Sequence, residues 1–290
     1  MLTLRMGVAA ILLGWILATP SLAQDKTAAA PAPAQRAQLW NTEQYVLHSK
    51  ILGRDMLIQI VKPLMPAKGK VPGVYLLDGN LYTSFALNPV MGAFGGEYAP
   101  AYFIGVGYTE QSALHWFRQR TTDLIHAPDV DMDDPMLKGV RSGGGALFQR
   151  FLVEELRPEV ESRYPIDPDR TVLSGISLGG LFTTRVLLDA PGAFGAYLIG
   201  SPSIWAEPGL IARARGARLR SGTKIYISAG GSEDAEQLTS ARALAAALRG
   251  NPSGVAVTEW IVPNEGHAGF APAFFGQGLK TVLPPSTSSK

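Results

Sequence analysis

Short apolar runs alternate along this chain with longer segments in which apolar residues recur at helical spacing. The apolar runs predict strands at 43–49, 54–61, 71–77, 101–107, 171–175, 195–200, 223–229 and 255–262. Helices are expected near 81–91 and at 144–163, 178–189, 207–216, 234–249 and 270–280. The first two strands adjoin each other, which favours an antiparallel hairpin at a sheet edge. The later alternation of strand and helix predicts an α/β fold, a mostly parallel sheet with helices on both faces.

The stretch 108–142 has no clear periodicity, and we expect a long loop there. Because it follows the carboxyl end of a strand, it is predicted to lie over an active site and to shape a substrate pocket. Trp116 and Arg120 are its candidate substrate-binding residues, since an arginine suits an anionic or catecholate group. The alternative is that its arginines are solvated or paired with the acids of the same stretch.

Candidate chemistry enters at residues 175–179, which read Gly-Ile-Ser-Leu-Gly between a predicted strand and a predicted helix. A G-x-S-x-G sequence in that context is typical of a nucleophile elbow, a sharp turn that exposes the serine hydroxyl at the top of a sheet. The flanking glycines and Gly180 supply the small residues that such a turn needs. We therefore predict Ser177 as a nucleophile; the alternative is a glycine-rich turn without chemistry.

A nucleophilic serine needs a base, usually histidine. In the order serine, acid, histidine that goes with this elbow, only His267 of the four histidines follows Ser177. Glu233 and Asp234 follow the predicted strand 223–229 and are candidates for the acid that orients the imidazole. At this point either carboxylate fits, because an acid at a helix N-terminus is also favoured by the helix dipole alone. Asp189 is a poorer candidate, since it lies in a turn that ends a helix.

Stabilisation of an oxyanion requires two N–H donors. We expect one from the backbone of Leu178 and the other from the backbone of Asn80, in the turn after strand 71–77. Tyr82, beside that turn, and Trp205, after strand 195–200, are predicted walls of the pocket.

The first 23 residues have the pattern of a secretory signal peptide: Arg5, an apolar run, and Ser21-Leu22-Ala23 as a cleavage site. Residues 24–38 are expected to form a flexible leader and 39–282 the catalytic domain, which implies a periplasmic or secreted protein. An uncleaved anchor is the alternative for the signal segment. The chain has no cysteine and a formal net charge of +2, so thiol chemistry is excluded and nothing points to nucleic acid or to stable membrane insertion after cleavage. No metal or cofactor motif is present in the sequence, so no cofactor is expected, and the oligomeric state stays open.

Several segments resemble the putative-esterase branch of the α/β-hydrolases, which includes siderophore (enterobactin-type) esterases. The segments that carry the resemblance are Tyr75–Asn80, Phe151–Tyr164, Ser174–Phe182 and Ser201-Pro202-Ser203-Ile204-Trp205. The last two are most similar to the siderophore-esterase subgroup. The resemblance implies the α/β-hydrolase fold and ester hydrolysis. It also favours Glu233 as the acid, because Gly230-Gly231-Ser232-Glu233 is similar to a Gly-x-x-Glu sequence of that subgroup.

The sequence therefore predicts a serine carboxylesterase that works through an acyl-enzyme, with a siderophore ester or another aryl or polyol ester as substrate. One alternative is an acyltransferase in which an alcohol replaces water. Another is a binding protein of the same fold without turnover.

Overall fold

The computed structural model describes residues 38–66, 68–110, 112–132 and 135–285. The predicted signal peptide lies outside these residues, as does the predicted leader except for Gln38. Within the described residues, no helix is long and apolar enough to cross a membrane.

A single sheet of eight strands forms the centre of the described part of the chain, in the order β1-β2-β4-β3-β5-β6-β7-β8. The strands are β1 (Thr42–Ser49), β2 (Arg54–Val61), β3 (Val71–Leu76), β4 (Tyr102–Tyr108), β5 (Ile166–Ile176), β6 (Ala196–Gly200), β7 (Lys224–Gly230) and β8 (Ala256–Val262). β2 pairs antiparallel with both β1 and β4, and all other neighbours are parallel. The predicted edge hairpin and α/β class are confirmed.

Helices connect the strands and bury apolar side chains against both faces of the sheet. They are α1 (Gly79–Tyr82), α2 (Leu87–Phe94), α3 (Ala113–Leu124), α4 (Gly145–Arg150), α5 (Arg157–Arg163), α6 (Leu178–Asp189), α7 (Gly209–Gly216), α8 (Ala235–Arg249) and α9 (Ala271–Val282). Two apolar clusters result, one centred on residues such as Leu173 and Phe182, the other on residues such as Leu198 and Phe274. A π-helical segment at 151–156 joins α4 to α5, so the helix predicted at 144–163 is not α-helical throughout.

The expectation of a structureless loop at 108–142 is wrong, because α3 occupies its first half. This helix escapes detection because its buried residues include Arg120, Thr121 and Asp123. Charged and polar side chains on the inner face remove the apolar spacing by which a surface helix is recognised. The strand predicted at 171–175 also begins earlier, at Ile166.

The parallel strands end at one edge of the sheet, and the candidate chemistry lies there. In open α/β sheets this carboxyl edge is where ligands bind. The segments that follow β3, β5, β6, β7 and β8 carry Asn80, Ser177, Ser201, Glu233 and His267 respectively. These five strands are consecutive neighbours in the sheet, so residues that are far apart in the chain come together at this edge.

Candidate functional site

Ser177 connects β5 to α6 in a strained turn. Its φ is 62° and its ψ is −120°, a conformation that a residue with a side chain rarely adopts. The turn is closed by small residues: a Cβ on Gly175 would lie 2.3 Å from the carbonyl oxygen of Gly179. This combination of a positive φ and obligatory glycines is the geometry of a nucleophile elbow.

The hydroxyl of Ser177 lies beside a second hydroxyl. Its Oγ is 3.3 Å from the Oγ of Ser203, and either serine has the geometry to donate. The backbone ties the same two residues together, because the N–H of Ser203 donates to the Ser177 carbonyl at 3.1 Å. The segment after β6 therefore packs directly on the elbow.

Glu233 and His267 form a close pair at the ends of β7 and β8. Oε2 of Glu233 lies 2.6 Å from Nδ1 of His267, and the carboxylate is 2% exposed while the imidazole is half-exposed. The other carboxylate oxygen accepts the N–H of Gly230 at 2.7 Å. Such a pair fixes one imidazole nitrogen and leaves Nε2 for other chemistry.

The pKa of Glu233 is lower than that of an ordinary glutamate. Burial by itself raises it, but the hydrogen bonds from His267, from the hydroxyl of Ser201 and from the N–H of Gly230 outweigh burial. Glu233 is thus held as a carboxylate, the form that accepts the Nδ1–H of an imidazole and stabilises an imidazolium.

Asp234 occupies a different position from its neighbour. It is the N-cap of α8, and its Oδ1 accepts the N–H of Gln237 at 2.8 Å. The structure therefore brings Glu233, and not Asp234, against His267.

The predicted oxyanion donors lie at the starts of two helices. Leu178 is the first residue of α6, and Asn80 is the second residue of α1. The two turns are neighbours, because a Cβ on Gly179 would lie 3.4 Å from Oδ2 of Asp78. The side chain of Asn80 is fixed by two hydrogen bonds to the backbone of Tyr108, at 2.7 and 2.9 Å. The turn that carries Asn80 therefore lies beside the elbow that carries Leu178.

Arg120 does not lie at an open surface. Its guanidinium donates to both oxygens of Asp78 at 2.8 Å each, and the two residues are 7% and 3% exposed. Arg120 also stacks over the ring of Trp116, 4.9 Å from its centre. Neither predicted role, substrate contact or pairing with acids of its own stretch, matches this placement. The structure instead ties α3 to the turn that carries Asn80.

Aromatic residues lie around the same edge. Tyr82 packs against the rings of Phe85 and Phe275, and burial, with a smaller contribution from Asp78, raises its pKa to about 12. Trp116 is half-buried and meets Phe117 edge-on. Trp205 is 42% exposed in the short 3₁₀ turn that follows Ser203.

Ser201, Ser203 and Asp78 are polar residues of the site for which sequence reasoning assigned no role. The Ser-Pro-Ser sequence and the Asp-Gly turn were visible in the chain, but a lone serine or an Asp-Gly pair does not indicate a contact. Among the described residues, no group of three or more His, Asp or Glu side chains is arranged to hold a metal ion.

Comparison with known proteins gives concordant matches. The model of a family described as putative esterase matches residues 49–255. The ferri-bacillibactin esterase BesA of Bacillus subtilis is 36% identical over 174 residues, which are 58% of this chain and 60% of that protein. The siderophore triacetylfusarinine C esterase of Aspergillus fumigatus is 30% identical over 173 residues, 57% of this chain and 56% of that protein. Each match thus spans less than two thirds of the curated relative's length.

The fold has solved counterparts. The structure of the BES protein from Bacillus cereus superposes with a TM-score of 0.74 at 28% identity, covering 87% of this chain and 99% of that one.

Proposed function

Because this chain belongs to the putative esterase family, we propose that it is a serine carboxylesterase in which Ser177, His267 and Glu233 act together. The observation that carries the proposal is the 2.6 Å contact between Glu233 and His267 at the sheet edge where Ser177 sits in its strained turn. A buried carboxylate on Nδ1 leaves Nε2 as the base for a serine hydroxyl.

In the proposed reaction, Nε2 of His267 takes the proton of Ser177 as its Oγ attacks the ester carbonyl. The tetrahedral oxyanion receives hydrogen bonds from the backbone N–H groups of Leu178 and Asn80. His267 then gives the proton to the leaving alcohol, and an acyl-enzyme remains on Ser177. Water, activated by the same imidazole, attacks the acyl carbon and releases the acid, which restores the hydroxyl of Ser177.

The experiment is covalent labelling by a fluorophosphonate together with turnover of a small ester. Ser177→Ala should abolish labelling and lower kcat by about 10³-fold or more. Ser203→Ala is the matched control, since its hydroxyl lies only 3.3 Å from that of Ser177. Labelling of the Ser203→Ala variant should persist on the Ser177 peptide. Labelling of Ser177→Ala would refute the assignment.

We propose an ester of a siderophore as the substrate class. Support comes from the names of two relatives, a ferri-bacillibactin esterase and a triacetylfusarinine C esterase. Tyr82, Trp116 and the half-exposed Trp205 are proposed as the apolar walls for the aryl or acyl groups of such an ester. A panel of siderophore, feruloyl and short acyl esters tests this. The proposal predicts the highest kcat/KM for a siderophore ester, and equal or better turnover of the simple esters would contradict it.

We also propose that the protein is exported to the periplasm or beyond the cell. The support is the pattern of residues 1–23, which ends in a small-x-small sequence. When the full chain is expressed, the protein should be recovered from the periplasmic or secreted fraction with its N-terminus at Gln24. Recovery of the intact chain in the cytosol would contradict export.

A further inference from the structure

Ser201 lies between the two halves of the site, directly after β6. Its Oγ is 2.5 Å from Oε2 of Glu233 and 3.2 Å from Nδ1 of His267. Since Nδ1 and Oε2 are themselves 2.6 Å apart, the three polar atoms form a closed triangle. Ser201 is completely buried, so water does not compete for its hydroxyl.

The backbone of Ser201 gives no reason for a side chain at this position. Its φ is 37°, in the left-handed region that glycine adopts far more readily than serine. Its N–H donates to the carbonyl of Ser228 at 2.6 Å, which holds the turn against β7. Glycine would make the same backbone contact with less strain, so what serine adds here is the hydroxyl.

The direction of the hydrogen bonds follows from the chemistry of the three groups. A carboxylate only accepts, so the O–H of Ser201 donates to Glu233. The lone pairs of the same oxygen then face Nδ1 of His267. Both neighbours of Nδ1 are therefore acceptors, and this favours the tautomer that carries its proton on Nδ1.

The segment that contains Ser201 is hydrogen-bonded to two neighbouring elements. Gln237 on α8 is buried and donates from Nε2 to the carbonyl of Pro202 at 2.9 Å. One residue further on, Ser203 contacts the hydroxyl of Ser177. Residues 201–203 thus connect the Glu233–His267 pair to the elbow through three consecutive residues.

We propose that Ser201 is a positioning residue, whose hydroxyl, together with Glu233, fixes the Nδ1–H tautomer and the orientation of His267. Nε2 is thereby prepared to accept the proton of Ser177. This inference rests on the proposed function, and it adds to it a fourth side chain that touches neither substrate nor the attacking oxygen.

The test compares Ser201→Gly with Ser201→Ala. Both variants remove the hydroxyl, but only glycine relieves the strain at φ 37°. Both variants should lower kcat by about 10- to 100-fold, which is the effect expected from losing one hydrogen bond to a charged group. KM should change by less than about twofold. Wild-type kcat in either variant overturns the proposal, and recovery in glycine alone would assign the effect to the backbone.

Ser228→Ala is the matched control. Ser228 is also completely buried, but its hydroxyl donates to the carbonyl of Trp260 at 2.7 Å and not to the Glu233–His267 pair. This variant loses a buried hydroxyl and a hydrogen bond as Ser201→Ala does, but it should retain kcat. An equal loss in both variants would mean a general packing effect and would overturn the proposal.

A double-mutant cycle with Glu233→Gln separates positioning from simple structural support. If Ser201 acts through the pair, Ser201→Gly should reduce kcat in the wild type but hardly further in Glu233→Gln. Additive losses would overturn the proposal.

NMR of the His267 Nδ1 proton provides a readout that does not depend on turnover. The proton should exchange with water faster in Ser201→Gly than in the wild type, because one of the two groups that hold the ring is gone. Unchanged exchange would refute the contact even if the wild type proved inactive on every ester. An inactive, unlabelled wild type with changed exchange would refute the proposed function alone.

Discussion

The buried pair of Asp78 and Arg120 offers the sharpest quantitative prediction. It joins α3 to the turn before Asn80 through two hydrogen bonds of 2.8 Å, and both side chains are almost fully shielded from water. Asp78 has a φ of 54°, which asparagine also tolerates, so Asp78→Asn removes the charge without new backbone strain. Arg120→Met removes the opposite charge and keeps an aliphatic stem against Trp116.

Either single change leaves the partner charge buried without its counter-ion. The cost of breaking a buried pair in this way is about 3–5 kcal/mol in free energy of unfolding. For a domain of this size, each kcal/mol lowers Tm by about 2–4 °C, so a fall of about 6–20 °C is expected for each variant. The double variant leaves no unpaired charge and should recover most of the loss, giving a coupling of about 2 kcal/mol or more.

Urea unfolding of the four proteins measures these free energies. Arg118→Met is the matched control, because Arg118 lies on the same helix but its guanidinium donates to the carbonyls of Met136 and Lys138 in a more exposed setting. Arg118→Met should lower the free energy of unfolding by about 1 kcal/mol or less. Equal losses in the Arg118 and Arg120 variants, or a double variant as unstable as the sum of the singles, would refute the argument.

Three further predictions concern other parts of the protein. A Cβ on Gly180 would lie 2.5 Å from a backbone carbonyl oxygen at the end of β6, so Gly180→Ala should lower the free energy of unfolding by about 1–3 kcal/mol. Gly209 has open space around it, so Gly209→Ala should not destabilise the protein. Equal urea midpoints for the two variants would contradict this. Glu233→Gln should lower kcat much more than Asp234→Asn, since only Glu233 contacts the imidazole, and the reverse order in steady-state kinetics would move the acid to Asp234. Burial, with a smaller contribution from the neighbouring Arg185, lowers the pKa of His126 in the folded protein. As the pH falls, the unfolded chain therefore takes up a proton on this histidine before the folded protein does. Stability should fall as pH drops below about 6.5, and His126→Gln should reduce that fall in Tm; the same slope of Tm against pH in both proteins would exclude this cause.

The sequence by itself determined the alternation of strands and helices and the location of the elbow. Both are local properties: the apolar runs are continuous, and the glycines of the turn stand within five residues of one another. His267 could be selected for a similar reason, because no other histidine follows Ser177 in the chain. The sequence did not predict α3, because its buried face carries charged residues and so lacks the apolar spacing by which a helix is recognised.

The tertiary structure alone decided which side chains meet. Glu233 and Asp234 are adjacent in sequence, yet one turns inward to His267 and the other caps α8, a difference that depends on the backbone of a single loop. Arg120 finds its partner in Asp78, 42 residues earlier, and Ser201 meets a carboxylate 32 residues later. Contacts of this kind follow from the order of strands in the sheet, which brings distant segments to one edge. That order cannot be read from the composition of the chain or from the spacing of residues within a short segment.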